Sequence, residues 1–420
     1  MLRSVLIVAA DAFHLGWMGS TRRIFHLTKA FKQLGFEVVL LAGRATNPSV
    51  QLKIDRVFPG LVIRTPHSGD YPKLVDCSPF TRRLWRGLWK IRGDEIYWSK
   101  LSWGWAKRLD TEWVYDQLNK LGLNLTAIWV ILGGHLWDAV AASRLAKTLS
   151  IPWIFEIEDP PWGAGIGKEK TVIINKYREL LSDAKLIVVI ADSYRDILMS
   201  QFGVQEKRIC TVYLTYDEKE IPLSIENALA AQFTILYSGS LEGKRSIKPL
   251  LLALQQAADK EPGFASACRL VLAGKGSGFK EAEQFVKQMQ PKFLVEFLGL
   301  VSGEEALRLL RSSFVSIVVQ PDDFRYQVPG KLYTYLLSHK PIIGIMPADC
   351  EAATILRRSR IGFVHESEDV EGLTDTLLTL WQAWRDGRSV VEPDNEYIEQ
   401  FSFKYLPERL RYVMQQVGVF

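Results

Sequence analysis

Short apolar runs alternate with amphipathic stretches from the start of the chain. "SVLIVAA" reads as a buried strand, and "STRRIFHLTKAFKQLG" then sets Ile24, Leu27, Phe31 and Leu34 at three- and four-residue spacing on one helix face, closed by Gly35. "FEVVLLAG", "LTAIWVIL", "IPWIFEIE", "AKLIVVIA" and "RICTVYL" predict further strands, separated by helical stretches such as "LWDAVAASRLAKTLS". The apolar positions of these strands are continuous rather than alternating. That suits strands covered on both faces, as in a parallel sheet flanked by helices.

Around Asp217 to Ala231 the chain turns polar, and the same alternation restarts at "QFTILYSGS". The second half predicts strands at "FTILYSG", "RLVLAG", "FLVEFLG", "FVSIVVQ", "KPIIGI" and "IGFV". The expectation is an α/β chain of two tandem doubly wound domains, residues 1–218 and 232–395, facing across a cleft. A helical tail over 396–420 is expected to pack back towards the first domain. Ligands of such sheets sit at the carboxyl ends of the strands.

At 420 residues the chain exceeds what one core organises, which agrees with two domains. Apolar residues make up 48% and charged residues 24%, which excludes a disordered or fibrous chain. The formal charge of +5 disfavours a nucleic-acid partner. Cys77, Cys210, Cys268 and Cys350 show no paired spacing, so neither a zinc site nor a disulfide framework is indicated and a reducing compartment is expected. No apolar run is long enough for a membrane span. The expected location is the cytoplasm, with contact to a membrane from outside left open.

Residues 80–108 depart from the pattern, setting Trp85, Trp89, Trp98, Trp103 and Trp105 among arginines and lysines. Such a mixture suits an anionic membrane surface, with indoles among headgroups and cations against lipid. A lid helix pair with inward tryptophans carries equal weight.

Three turns hold candidate chemistry. "GSLEGKRS", starting at Gly239 and Ser240, lacks the spacing of a nucleotide-binding P-loop, but its glycines, Lys244 and Arg245 can cradle a phosphate ahead of a helix. "LAGKGSG", with Gly274 and Lys275, is a tight strand-to-helix turn that fails the dinucleotide fingerprint because Phe279 replaces a glycine. "VPGKLYTYLL" starts a helix with Pro329 in its first turn and Lys331 beside free backbone donors, a second anion grip unless that lysine is merely solvated. Two such grips in one domain suit a diphosphate. In the first half, the loop of His14, Gly16 and Gly19 and the run "EIEDPPW", with Glu156, Glu158 and Asp159, should line the same cleft. Carboxylates there can orient sugar hydroxyls or relay a proton, or Glu156 can be a structural ion-pair partner. The adjacent "PDDF" carboxylates and the scattered histidines do not make a metal clamp, and no metal or other cofactor is expected.

"FTILYSGSLEGKRSIKPLLLAL", "RLVLAG", "VEFLGLVSGEEALRLLRSS" and "VPGKLYTYLLSHKPIIGI" together resemble the donor domain of family-4-like retaining glycosyltransferases of the GT-B fold, nearest to members that build capsular, O-antigen or exopolysaccharide chains. "FHLGWMGSTRRIFHLTKAFKQLGFEVVLLAG" and "IPWIFEIEDPPW" extend the resemblance through the first half. It implies a nucleotide-sugar donor and a glycan or lipid-linked acceptor. Lys244 and Arg245 would meet the donor diphosphate, and Tyr326, Gln327, Val328, Gly330 and Lys331 the sugar and distal phosphate. Leu300 and Val301 would face the base. The family's ribose-binding glutamate is Thr334 here, and a second glutamate eight residues earlier is Tyr326. Glu158 stands where the family has arginine, and Leu214 and Thr215 replace an asparagine-glycine ahead of Asp217.

The resemblance implies transfer with retention, driven by stabilising the departing diphosphate with Lys244, Arg245 and Lys331. Asp159 would take an acceptor-side polar role. A catalytically degenerate partner of an active transferase is the competing reading, favoured by Thr334, Tyr326 and Glu158. A nucleotide-sugar epimerase is the third.

Overall fold

The structure, a computed structural model, describes residues 3–9, 19–44, 58–68, 111–133, 136–159, 168–219 and 232–420. Residues 80–108, His14 and Gly16 lie outside the described residues. The chain divides into two compact units, Met1–Tyr213 together with Lys404–Phe420, and Leu214–Phe403. Among the described residues no helix is long and apolar enough to cross a membrane.

The first unit is built on β1 (Arg3–Val8), β2 (Glu37–Arg44), β3 (Leu61–Ser68), β4 (Asn124–Gly133), β5 (Trp153–Asp159), β6 (Leu186–Val189) and β7 (Ile209–Thr211). They form one parallel sheet in the order β3-β2-β1-β4-β5-β6-β7. Helices α1 (Gly19–Gln33), α2 (Thr111–Lys120), α3 (Trp137–Leu149), α4 (Lys168–Asp183) and α5 (Asp192–Phe202) accompany it. The continuous apolar strands are buried as expected: Val5 to Val8 and Ile128 to Val130 are wholly out of solvent. Strand β3 was not expected from the sequence. It contains Pro66, which cannot donate to a ladder, and it lies at the sheet edge, where a proline is tolerated.

A buried ion pair lies in the core of this unit. Arg23, on α1, donates from Nε to Glu156 Oε1 at 2.7 Å, and both side chains are essentially fully buried. Trp129 donates from its indole to the other carboxylate oxygen at 2.6 Å. The guanidinium also donates to the carbonyls of Val212 and Tyr213, at 3.1 and 3.2 Å. Of the two roles open to Glu156, the structure assigns the ion-pair role. At the carboxyl end of the chain, α14 (Leu406–Gln416) packs on α1, and Arg3 donates to the carbonyl of Val419 at 2.7 Å.

The second unit has the sheet order β10-β9-β8-β11-β12-β13, all parallel. Its strands are β8 (Phe233–Ser240), β9 (Cys268–Lys275), β10 (Leu294–Gly299), β11 (Val315–Val319), β12 (Ile342–Ile345) and β13 (Gly362–His365). Between them run α6 (Lys248–Lys260), α7 (Pro262–Ala267), α8 (Ser277–Met289), α9 (Gly303–Ser312), α10 (Gly330–Leu336) and α11 (Glu351–Arg358). Helices α12 (Val370–Arg385) and α13 (Asn395–Glu399) follow. The polar turn seen in the sequence begins inside this unit: Tyr216 pairs through its backbone with Phe401 and Phe403, so the two connecting segments run side by side.

Strand order reverses between β8 and β11, since β9 and β10 lie on one side of β8 and β11 to β13 on the other. Strands β8 and β9 pair along eight residues, whereas β8 and β11 pair only at Ile235 with Val315 and Leu236 with Ser316. Beyond Leu236 the two strands part. A crevice at the carboxyl ends of the strands, at the point of reversal, is where open parallel sheets take ligands.

Candidate active site

The walls of this crevice are close-packed backbone. Gly239 and Gly274 both have positive φ, 138° and 148°. A Cβ on Gly274 would lie 1.8 Å from the carbonyl oxygen of Gly239, so only glycine lets the turns after β8 and β9 touch. Leu241 N then donates to Lys275 O at 2.9 Å, and Gly278 N to Leu241 O at 2.9 Å.

Lys331 reaches into the space that Gly239 leaves open: a Cβ there would meet its Nζ at 2.8 Å. The lysine residue keeps some exposure, but its ammonium is buried and has no hydrogen-bond partner among the described residues. It lies 3.9 Å from the centre of the Tyr237 ring. Burial, and then the neighbouring Arg245 charge, push its pKa down to about 7. Tyr237 donates its hydroxyl to Ser240 O at 2.7 Å. Tyr335 accepts from Ser238 N at 3.2 Å and lies 3.3 Å from Ser238 O. Burial raises the pKa of both phenols, so both stay neutral.

Arg245 stacks on Phe324, its guanidinium carbon 4.4 Å from the ring centre. The phenylalanine belongs to a short helical turn, Asp322–Phe324, that Gln320 holds in place. Buried at the end of β11, Gln320 donates through its side-chain amide to Phe324 O and, at 2.6 Å, to Gln327 O. Lys244 is mostly exposed, pairs with Asp323 at 2.9 Å, and lines a groove of about 420 Å³ with Ser246, Lys248, Val319, Pro321 and Glu368 at the carboxyl end of β11.

The structure thus gathers Gly239, Gly274, Arg245 and Lys331 at one point. Ser240 and Lys275 end their strands as exposed residues beside it. Leu300, 76% exposed, and half-buried Val301 follow β10, two strands from β8 and therefore about 10 Å away. Val328 is buried, while Tyr326 and Gly330 are exposed. Thr334 lies half-buried one turn after Lys331. Helix α10 has only seven residues, so the charged side chains rather than a long helix dipole set the field here. In the first unit, Gly19 begins α1 and Glu158 is buried near the end of β5. Asp159 ends that strand, and its side chain lies outside the described residues.

Sequence reasoning missed Tyr237, Tyr335, Gln320 and Phe324. Two signals were available. Lys331 and Tyr335 are four apart and share a helix face. Gln320 is a polar residue closing the apolar run of β11.

Residues 232–383 match the family model described as glycosyl transferases group 1, a span that encloses the whole crevice. The second unit is a group 1 glycosyltransferase domain. No curated protein matches the chain. Among solved structures, HepE of Anabaena in complex with UDP and glucose is 11% identical, covering 98% of this chain and 99% of that one at a TM-score of 0.63. A glycosyltransferase from Rickettsia africae is 12% identical, with 99% of each chain covered and a TM-score of 0.65. Sucrose-phosphate synthase from Thermosynechococcus elongatus is 12% identical, again with 99% of each covered, at 0.64. At these identities the likeness concerns the fold, which is GT-B with two parallel-sheet Rossmann-like domains. The group 1 domain makes the activity class nucleotide-sugar-dependent glycosyl transfer.

Proposed function

We propose that the chain transfers a sugar, with retention at the anomeric carbon, from a nucleotide-sugar donor held by the second domain to a glycan or lipid-linked acceptor in surface polysaccharide synthesis. One observation carries this reading: Arg245 and Lys331 lie close enough for one charge to weigh on the other, and among the described residues no carboxylate pairs with either. Two neighbouring cations at the reversal point of a parallel sheet suit a diphosphate.

In the reaction, the bond from the anomeric carbon to the diphosphate oxygen breaks and a bond to the acceptor oxygen forms. The acceptor proton passes to a leaving phosphate oxygen on the same face, so no strong protein base is needed. Arg245 and Lys331 stabilise the charge that develops on the diphosphate. Those side chains take the neutralising role that a metal plays elsewhere, and chelation should leave turnover unchanged. Uridine donors are the first to try, since HepE was solved with UDP-glucose. Residues 80–108 are proposed to bring the enzyme to anionic lipid, which co-sedimentation with acidic vesicles would test through replacement of Arg82, Arg83 and Arg86 by Glu.

The test is a screen of nucleotide sugars read by release of free nucleoside diphosphate. Arg245→Ala should lower turnover by about 10²–10³. Lys244→Ala, whose charge pairs with Asp323 at the surface, should cost less than about tenfold. The competing reading, a degenerate partner of an active transferase, is favoured by Thr334 in place of a ribose-binding carboxylate. It would prevail if no nucleoside diphosphate binds at millimolar concentration.

A further inference from the structure

Lys331 is a buried amine that finds no hydrogen-bond partner among the described residues. Among the described residues no carboxylate pairs with it and the cation that weighs on it is Arg245, while Glu242 of the same turn lies beside Gly276. From β8 comes the Tyr237 ring, whose hydroxyl is committed to Ser240 O. From the turn after β8 comes Arg245. On its own helix, Tyr335 is tied to Ser238, and Tyr333 packs on Phe401 with ring centres 5.1 Å apart. The loop after β11 holds its acids elsewhere: Asp323 pairs with Lys244 and Asp322 with Arg325. A charged ammonium here would be desolvated and repelled by Arg245, with only a ring face to offset both.

We propose that diphosphate binding in the crevice is coupled to uptake of one proton by Lys331. The proposal rests on the reading of the crevice as the donor site. In the unliganded protein above neutral pH the amine is uncharged, which removes the repulsion from Arg245. An arriving diphosphate brings several negative charges beside the nitrogen, and solvent supplies a proton to complete the ion pair. When the nucleoside diphosphate leaves, the proton returns to solvent. Donor affinity then falls as pH rises above about 7, where the free amine sheds its proton. A permanently charged arginine at this position would bind without such a dependence.

The test uses the full chain and calorimetry with UDP, GDP and ADP at pH 8, in buffers of differing ionisation enthalpy. At that pH the ligand's terminal phosphate, with its second pKa near ~6, is already ionised, so protons taken up belong to the protein. Wild type should take up close to one proton, and its affinity should weaken by roughly tenfold per pH unit above pH 8. Lys331→Arg should bind with no proton uptake and a flat pH dependence. Binding to wild type without proton uptake, or equal uptake in Lys331→Arg, overturns the coupling and leaves the donor site standing. Absence of binding by all three diphosphates overturns the donor site and the coupling together. A measurement independent of ligand separates the cases further. In the free protein labelled with carbon-13 lysine, the resonance missing from Lys331→Arg should titrate with a midpoint of about 7. A midpoint above about 9, near the ordinary lysine value, overturns the proposal whatever binds.

Discussion

Lys331 holds its ammonium 3.9 Å from the centre of the Tyr237 ring, and 2.8 Å from where a Cβ on Gly239 would stand. A ring face offers a desolvated cation about 2 kcal/mol. Each pH unit by which a pKa moves is worth ~1.4 kcal/mol, so the fall to about 7 says that burial and Arg245 together outweigh the ring. The domain tolerates this cost at one place only, among the described residues of its ligand crevice, where a buried lysine nitrogen has no partner.

That cost has a sign that denaturation can read. The folded protein binds the Lys331 proton more weakly than the unfolded chain does. Between pH 7 and the ordinary lysine range the unfolded chain therefore holds a proton that the folded one lacks, and stability contributed by this site rises with pH. Below pH 7 the full penalty applies. Lys331→Met should accordingly be more stable than wild type at pH 6, by about 1–3 kcal/mol, with the gap shrinking towards pH 9.5. Urea midpoints at the two pH values check this, and an equal difference at both would show that Lys331 keeps its charge in the fold.

Much of this architecture was legible because parallel strands buried on both faces leave unbroken apolar runs, as Val5 to Val8 and Ile342 to Ile345 do. The edge strand β3 was not, since Pro66 and its polar neighbours suppress that signal. At the site, Gly239, Gly274, Arg245 and Lys331 were legible as residue types that handle phosphate. Their relationship was not. Lys244 and Arg245 look equivalent in "EGKRS", and only the fold shows one pairing with Asp323 and the other stacking on Phe324 beside Lys331. Nor could spacing reveal that Lys331 would be buried, because that depends on the absent side chain of Gly239, some ninety residues earlier.

The contact between Gly239 and Gly274 should be intolerant of a single methyl group. In Gly274→Ala the new carbon would lie 1.8 Å from the Gly239 carbonyl oxygen, at a φ of 148° that alanine rarely adopts. Both turns would have to separate, costing upwards of ~3 kcal/mol. The neighbouring site Gly243, also at positive φ but with open space around a new Cβ, should lose only about 1 kcal/mol as alanine. Thermal denaturation of the two variants separates close approach from backbone strain.

Gln320 offers a test of loop order apart from charge. Its amide holds the carbonyls of Phe324 and Gln327, and Phe324 in turn seats Arg245. Gln320→Leu should release the loop while leaving every cation in the chain. We expect the KM for donor to rise about tenfold, with kcat within about threefold, because the freed loop must be ordered again when donor binds. A fall in kcat with unchanged KM would assign Gln320 to the transition state instead.

The buried pair in the first unit makes the opposite case to Lys331, a charge whose partners are all present. Glu156 receives Arg23 on one oxygen and Trp129 on the other, while the guanidinium also donates to the carbonyls of Val212 and Tyr213, where this unit's main segment ends. Arg23→Met would strand a carboxylate with one indole donor and leave two carbonyls unserved, costing about 3–5 kcal/mol. Glu156→Leu should cost a similar amount by stranding the arginine. Because each single change isolates a charge that the double change removes, Arg23→Met with Glu156→Leu should fall short of the sum by at least ~2 kcal/mol. Denaturant midpoints of the four proteins give that coupling directly, and additive losses would mean that the pair contributes only its packing. Nucleoside diphosphate affinity should stay at the wild-type value throughout, since every residue assigned to the donor crevice belongs to the other unit.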